Sequence, residues 1–359
     1  MYAAQHLPKY LGYFIMRYFD DIAPGKNLGG WFDPYDCTYN LTTYLEQAYM
    51  TVYAKAEEVT LFCLPSLMVD STYSTFVPAL GQLFRDVDEY MSELGNPVGV
   101  KTYRPIKSIG EKNLHSYLGM CGIAFDPVKE YPKDASCVFL SEGAAYDENI
   151  LDYMEETMLA GGDVVVTSGF VKVMGRKLDR IANVIYNGNK AFVDTYADSR
   201  DNGVSLRGHY KGEKRIIIPQ LEFGTNDVWA LAAAFGEDNN FPVVLKCNFG
   251  RGTFGIVTIP DDMGDLYNYP KEVLTTIRQM MKKSMPVTLN CSAKVMQICY
   301  DNDVIILRSN LEYVENVEFE FNKEVNGCVN MQNNRQIEIK DNKAKVELLP
   351  GVSYILKMN

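Results

Sequence analysis

Three histidines, two tryptophans and no Cys-x-x-Cys pair mark this 359-residue sequence by what it has little of. Zinc and related centres draw on histidine and closely spaced cysteine, so no metal and no cofactor is expected. Basic residues are in deficit too, 35 against 46 acidic ones, for a formal charge of -11. Nucleic acid and anionic membrane surfaces would repel such a chain, and neither is expected as a partner. No apolar run approaches the roughly 20 residues that span a bilayer, and Met1–His6 lacks the pattern of a signal peptide. Internal repeats and low-complexity segments are also lacking. The eight cysteines are scattered, several inside apolar runs, and read as buried thiols in a reducing, cytoplasmic setting.

What the chain does have is apolar substance: 47% hydrophobic and 12% aromatic residues, enough for a globular protein. Its length predicts two or three domains. The clearest stretch runs from Cys137 to Phe170. Residues 136–140 form a short apolar strand, Asp147 stands where a helix cap would, and Ile150, Leu151, Met154, Met158 and Leu159 recur at helical spacing. Gly161-Gly162 ends that helix, and residues 163–167 form a second apolar strand. This β-α-β unit predicts a parallel sheet covered on both faces. Its strand ends lie at Ser141-Glu142-Gly143 and Ser168-Gly169, the edge where a small molecule would bind.

Upstream, residues 7–67 alternate helix (10–20), strand (28–33), helix (43–56) and strand (58–64), with Thr43 and Glu46 spaced as a capping box. Two parallel strands cannot protect both of their edges, so this alternation reads as the end of a barrel. The pieces GGWFDPYD (29–36), Glu46-Gln47-Ala48 and Val59–Cys63 resemble the last units of a glycoside-hydrolase (β/α) barrel. In such barrels the C-terminal strand ends carry the chemistry. The resemblance implies that Asp33 or Asp36 is one of two catalytic carboxylates and that Trp31 and Tyr35 stack on a sugar ring. On the plainer reading Asp33-Pro34 starts a turn, Asp36 ties down a loop and Trp31 is a core residue.

Residues 70–94 form a bridge ending in a helix, and Gly95-Asn96-Pro97 opens a new domain. Residues 110–128, 137–169 and 241–274, in that order, resemble the glutamine-amidotransferase-like domain that follows sugar-hydrolase barrels, best known as the trimerisation domain of β-galactosidases. A working amidotransferase of this kind needs a cysteine on a Gly-x-Cys-x-Gly elbow and a His-x-Glu pair. Here Ser168 stands near that position without the flanking glycines, and His209 is followed by Tyr210 and Lys211, so the domain reads as catalytically silent. A helix is expected at 229–234, and a hairpin turn rather than a phosphate loop at 249–252. Past Pro286, short alternating runs at 294–300, 304–309, 317–321, 336–339, 344–349 and 353–358 predict a small β-sandwich.

The expected architecture is α/β. A partial (β/α) barrel with its bridging helix (1–94) precedes a flavodoxin-like, doubly wound parallel sheet (95–285), and an all-β sandwich (286–359) follows. The expected function is that of the C-terminal portion of a glycoside hydrolase, inactive alone, with carbohydrate as ligand and a homo-oligomer formed through the middle domain. The alternatives are a non-catalytic sugar-binding or scaffold protein, and a small-molecule hydrolase working at the sheet edge through Ser168 and His209.

Overall fold

The computed structural model describes residues 7–26, 29–35, 37, 40–199, 207–236 and 239–359. The first elements are α1 (Leu11–Ile22), β1 (Gly29–Phe32), α2 (Leu41–Tyr53), β2 (Glu58–Leu61), α3 (Leu64–Val69) and α4 (Phe76–Met91). Strands β1 and β2 pair in parallel from Gly29↔Glu58 to Phe32↔Leu61, with α2 as the crossover between them. Helix and strand approach closely because residue 30 is glycine: a Cβ there would lie 2.2 Å from the Thr51 methyl group. The start of α2 differs from expectation. Asn40 is the N-cap, accepting from the Thr43 amide at 3.0 Å, so Thr43 is already inside the helix. Glu46 points away into a buried pair with Arg308 instead of closing a capping box.

The chain continues through β3 (Pro97–Val98), β4 (Val100–Tyr103), α5 (Leu114–Met120), β5 (Phe125–Val128), β6 (Cys137–Leu140), α6 (Ile150–Ala160), β7 (Asp163–Thr167) and α7 (Ser168–Met174). It then runs through β8 (Val184–Asp198), β9 (Arg207–Phe223), β10 (Val228–Gly236), β11 (Asn239–Phe249), β12 (Gly252–Val257) and α8 (Lys271–Gln279). Nine of these strands form one sheet in the order β5-β4-β6-β7-β12-β11-β10-β8-β9. The first five are mutually parallel, and the last four extend the sheet antiparallel. Every residue of β6 and β7 is buried, as their unbroken apolar runs require of strands covered on both faces. Gly161, with φ +103, ends α6 in the left-handed conformation that glycine adopts without a Cβ penalty.

Three local expectations are corrected here. Residues 229–234 lie in β10, not in a helix: pairing with β11 on one side and β8 on the other overrides the helix preference of their alanines. Asp147 does not cap α6, whose N-cap position is Asn149. Its carboxylate instead accepts from the Asn149 amide at 2.9 Å and the Tyr103 hydroxyl at 2.7 Å. Cys63 is only partly covered, whereas the other seven cysteines are buried, and all eight are free thiols. The turn at 249–252 is a hairpin, with Phe249 opposite Gly252.

Residues 287–359 give β13 (Val287–Asn290), β14 (Val295–Tyr300), β15 (Val304–Ser309), β16 (Glu315–Phe321), β17 (Cys328–Asn330), β18 (Arg335–Gln336), β19 (Ile339–Lys340), β20 (Lys343–Leu348) and β21 (Ser353–Met358). They form a four-stranded sheet, β13-β16-β20-β19, and a six-stranded one, β18-β17-β21-β15-β14-β3. One buried cluster, including Leu289, Val295, Ile305, Phe319, Leu348 and Leu356, joins the two sheets. The expected strand at 336–339 is divided between them, with β18 in one and β19 in the other. The edge strand β3 comes from before the nine-stranded sheet: Pro97 pairs with Tyr300 and Val98 with Cys299.

Candidate functional site

Because β1 and β2 are parallel, their C-terminal ends open on the same side, and Trp31, Asp33 and Tyr35 gather there. Asp33 follows β1 directly, and its Oδ1 accepts from the Tyr35 amide at 2.8 Å in a tight turn. The Gln47 side chain from α2 clamps that turn: its amide oxygen accepts from Asp33 N–H at 3.1 Å and its Nε2 donates to the Asp33 carbonyl at 3.0 Å. Cys37 closes the clamp, its thiol donating to the same carbonyl at 3.1 Å. The turn reading of Asp33-Pro34 is thus seen directly, with the carboxylate held at the rim.

Tyr35 is half-exposed, and its hydroxyl lies 2.5 Å from Ser66 Oγ and 3.4 Å from Cys63 Sγ. The Tyr35 hydroxyl, with help from Ser66, lowers the pKa of the Cys63 thiol below its usual value, and the same contact raises that of Tyr35. Trp31 is 46% exposed rather than a core residue, and its ring lies 5.0 Å from that of Phe62, which in turn meets Tyr35 at 6.1 Å. Trp31, Asp33 and Tyr35 are therefore one aromatic-and-carboxylate surface. Asp36 lies outside the described residues. Gln47, Cys63, Phe62 and Ser66 were not singled out from the sequence, since nothing in their local pattern shows that α2 and the segment after β2 fold back onto the β1 turn.

The second candidate, the edge of the large sheet, is closed by its own groups. Ser168 is buried and its Oγ accepts from the Ile259 amide at 3.0 Å. His209 stands on β9, five strands away from β7, with its ring 6.0 Å from that of Phe235. The groove between the ends of β6 and β7 is filled instead by Glu111, whose Oε2 accepts from the Glu142 amide at 2.7 Å and Thr167 Oγ1 at 2.8 Å. Burial, opposed by those hydrogen bonds, raises its pKa to about 7. Glu111 escaped the sequence reading because it sits in a loop with no periodicity. His115 is a neutral core histidine: burial lowers its pKa to about 3, Nε2 meets Thr102 Oγ1 at 2.7 Å, and the ring stacks on Phe14.

Residues 1–94 match the family model described as the catalytic domain of a probable glycosyl hydrolase, and residues 95–262 match the second domain of the uncharacterised protein SSO3021. That protein, from Saccharolobus solfataricus, is 21% identical over 299 residues, which cover 78% of this chain and 48% of the relative. Among solved structures, the β-galactosidase from Bacillus circulans sp. alkalophilus superposes with a TM-score of 0.57 at 12% identity, over 100% of this chain and 59% of the other. The β-galactosidase from Rahnella sp. R3 gives 0.55 at 12% identity, over 98% and 57%. Residues 1–94 are thus similar to a glycosyl hydrolase catalytic domain, the chain shares the mixed α/β fold of the two solved structures, and it spans 48–59% of the length of the relatives it matches.

Proposed function

We propose that this chain is the C-terminal portion of a glycoside-hydrolase-like protein, whose sugar site is completed only when further (β/α) units close over β1 and β2. The observation that carries this reading is the state of those two strands. They form a sheet of their own, all four residues of β2 are exposed, and apolar Phe62, Leu64, Met68 and Val69 face outward beside them. A two-stranded parallel sheet with bare apolar side chains is not a finished structure, because parallel strands are stable when both faces and both edges are covered. In the completed site Asp33 or Asp36 supplies one of the two carboxylates, and Trp31 and Tyr35 supply the stacking surface. The second carboxylate comes from the closing units.

The nine-stranded sheet has a supporting role on this reading. The order of its five parallel strands corresponds to 2-1-3-4-5 along the chain, the flavodoxin-type winding. This agrees with an amidotransferase-like domain that has lost its chemistry: the Ser168 hydroxyl is already engaged, and among the described residues no histidine adjoins it. Such a domain packs against the barrel and joins subunits, with β9, the last strand of the sheet, as a contact surface. The test is an assay of the chain on aryl glycosides. It should give no turnover above the blank, and turnover that disappears in Asp33→Asn would mean that a complete site is already present.

A further inference from the structure

The parallel strands of the large sheet end beneath a loop, residues 104–113, that runs from β4 to α5. In open α/β sheets ligands bind outside the carboxyl ends of the strands, where the strand order reverses. Here the order reverses between β4 and β6, and the loop reaches the neighbouring ends of β6 and β7 through the Glu111 carboxyl. Both bonds fall on one oxygen: Oε2 accepts from the Glu142 amide, just past β6, at 2.7 Å and from Thr167 Oγ1, at the end of β7, at 2.8 Å. The donors lie 31 and 56 residues along the chain from Glu111, so they stand to it as the donors of a binding site stand to a ligand. Three glycines shape the contact. A Cβ on Gly169 would lie 2.4 Å from Glu111 Oε1, one on Gly110 2.5 Å from Glu142 Cδ, and one on Gly143 2.8 Å from Ser108 Cβ. The loop backbone is bent against its own preferences, with φ 95 at Gly110, 39 at Glu111 and 66 at Asn113, the last two being residues with side chains. Ile106 and Ile109, each 66% exposed, give the loop no apolar anchor. The carboxyl contacts therefore hold this stretch in a shape it does not favour by itself.

We infer that the ends of β6 and β7 form a site for a short acyl compound and that Glu111 is its tethered occupant. Freed of that side chain, the site takes propionate, the three-carbon acid that reproduces the part of Glu111 beyond its Cα. The donors are an N–H and an O–H aimed at a single oxygen, so the ligand must bring a carboxyl or carboxamide oxygen that can accept twice. The Glu142 carboxylate nearby disfavours a full negative charge there, and recognition accordingly rests on the hydrogen bonds and on the glycine-lined fit. Propionamide meets the same requirement. In the intact chain the tether keeps the Glu111 carboxyl at a high effective concentration, which shuts the site to free acids and latches the loop to the sheet. This site belongs to the large sheet and does not depend on the sugar site proposed at β1 and β2.

Thermal melting of the full chain tests it. Glu111→Gly suits the positive φ and removes the occupant, so this variant should melt below the wild type and regain much of the difference with propionate or propionamide, half-saturating at on the order of 10 mM. Chloride at matched ionic strength and 1-propanol, which keeps the chain but lacks the acyl oxygen, should restore nothing, and the wild type should not respond. Gly169→Ala alone should lower the melting temperature. Combined with Glu111→Gly it places a methyl group where the ligand would sit, so the double variant should ignore propionate. If Glu111→Gly does not fold by itself, propionate should raise its recovery from urea severalfold over chloride. No gain in melting temperature or recovery by ~100 mM propionate, an equal effect of propanol or chloride, an equal rise in the wild type, or a response that survives Gly169→Ala would each overturn the inference.

Discussion

At the scale of single residues, the Glu111 carboxyl links stability to pH. It is enclosed by the ends of β6 and β7, its own φ is +39, and Gly169 comes so near that a Cβ there would meet Glu111 Oε1 at 2.4 Å. Burial raises its pKa from 4.5 to about 7. The sign follows from linkage: between those two values the folded state holds a proton that the unfolded chain has released, so stability rises as pH falls through 7 towards 4.5 and is forfeited above 7. Two and a half pH units correspond to ~3 kcal/mol. Glu111→Gln mimics the protonated acid. Urea denaturation at pH 5.5 and pH 8 should show the wild type losing stability at the higher pH and the variant losing much less. Parallel behaviour of the two proteins would mean that Glu111 titrates normally. Nothing in the sequence announces this residue, because its partners are backbone amides and a threonine brought together only by the sheet. Trp31, Asp33 and Tyr35 were legible for the opposite reason, being three near neighbours on one strand end.

Among elements, the strands and helices whose burial is uniform were readable and those whose faces are decided by distant neighbours were not. The β6-α6-β7 unit follows from its apolar runs and its terminal Gly161. By contrast, the alanines of β10 carry no periodicity of their own, and only the neighbours β8 and β11 make that segment a strand. The run 98–103 likewise reads as one strand, yet Gly99 divides it: Val98 belongs to β3 of the sandwich and residues 100–103 to β4 of the large sheet. A Cβ at Gly99 would lie 2.4 Å from the Ala124 carbonyl oxygen, a backbone atom that cannot turn aside. Gly99→Ala should therefore destabilise the protein by about 1–3 kcal/mol, seen as a lower melting temperature. An unchanged melting temperature would mean that the junction between the two sheets is looser than the structure has it.

On the scale of the whole molecule, cohesion is uneven, and the unevenness bears on function. Val98 and Pro97 lock the sandwich to the start of the large sheet, Arg308 ties β15 to α2, and Tyr300 donates to the Tyr53 carbonyl at 2.8 Å. Three regions are thus fastened together through groups that are buried and paired. Among the described residues the β1–β2 sheet has no such backing on its outer side, where β2 is exposed along its whole length. Local opening costs least where few apolar contacts cover the backbone, so amides of 58–61 should exchange with deuterium at least ~100-fold faster than those of 137–140 and 163–167. On the proposed function, closing (β/α) units act on that same difference: their binding slows exchange at 58–61 and leaves the large sheet unaffected. Protection of 58–61 equal to that of β6 and β7 in the isolated chain would show that the strand pair is already complete, and the case for a sugar site finished by other units would fall with it.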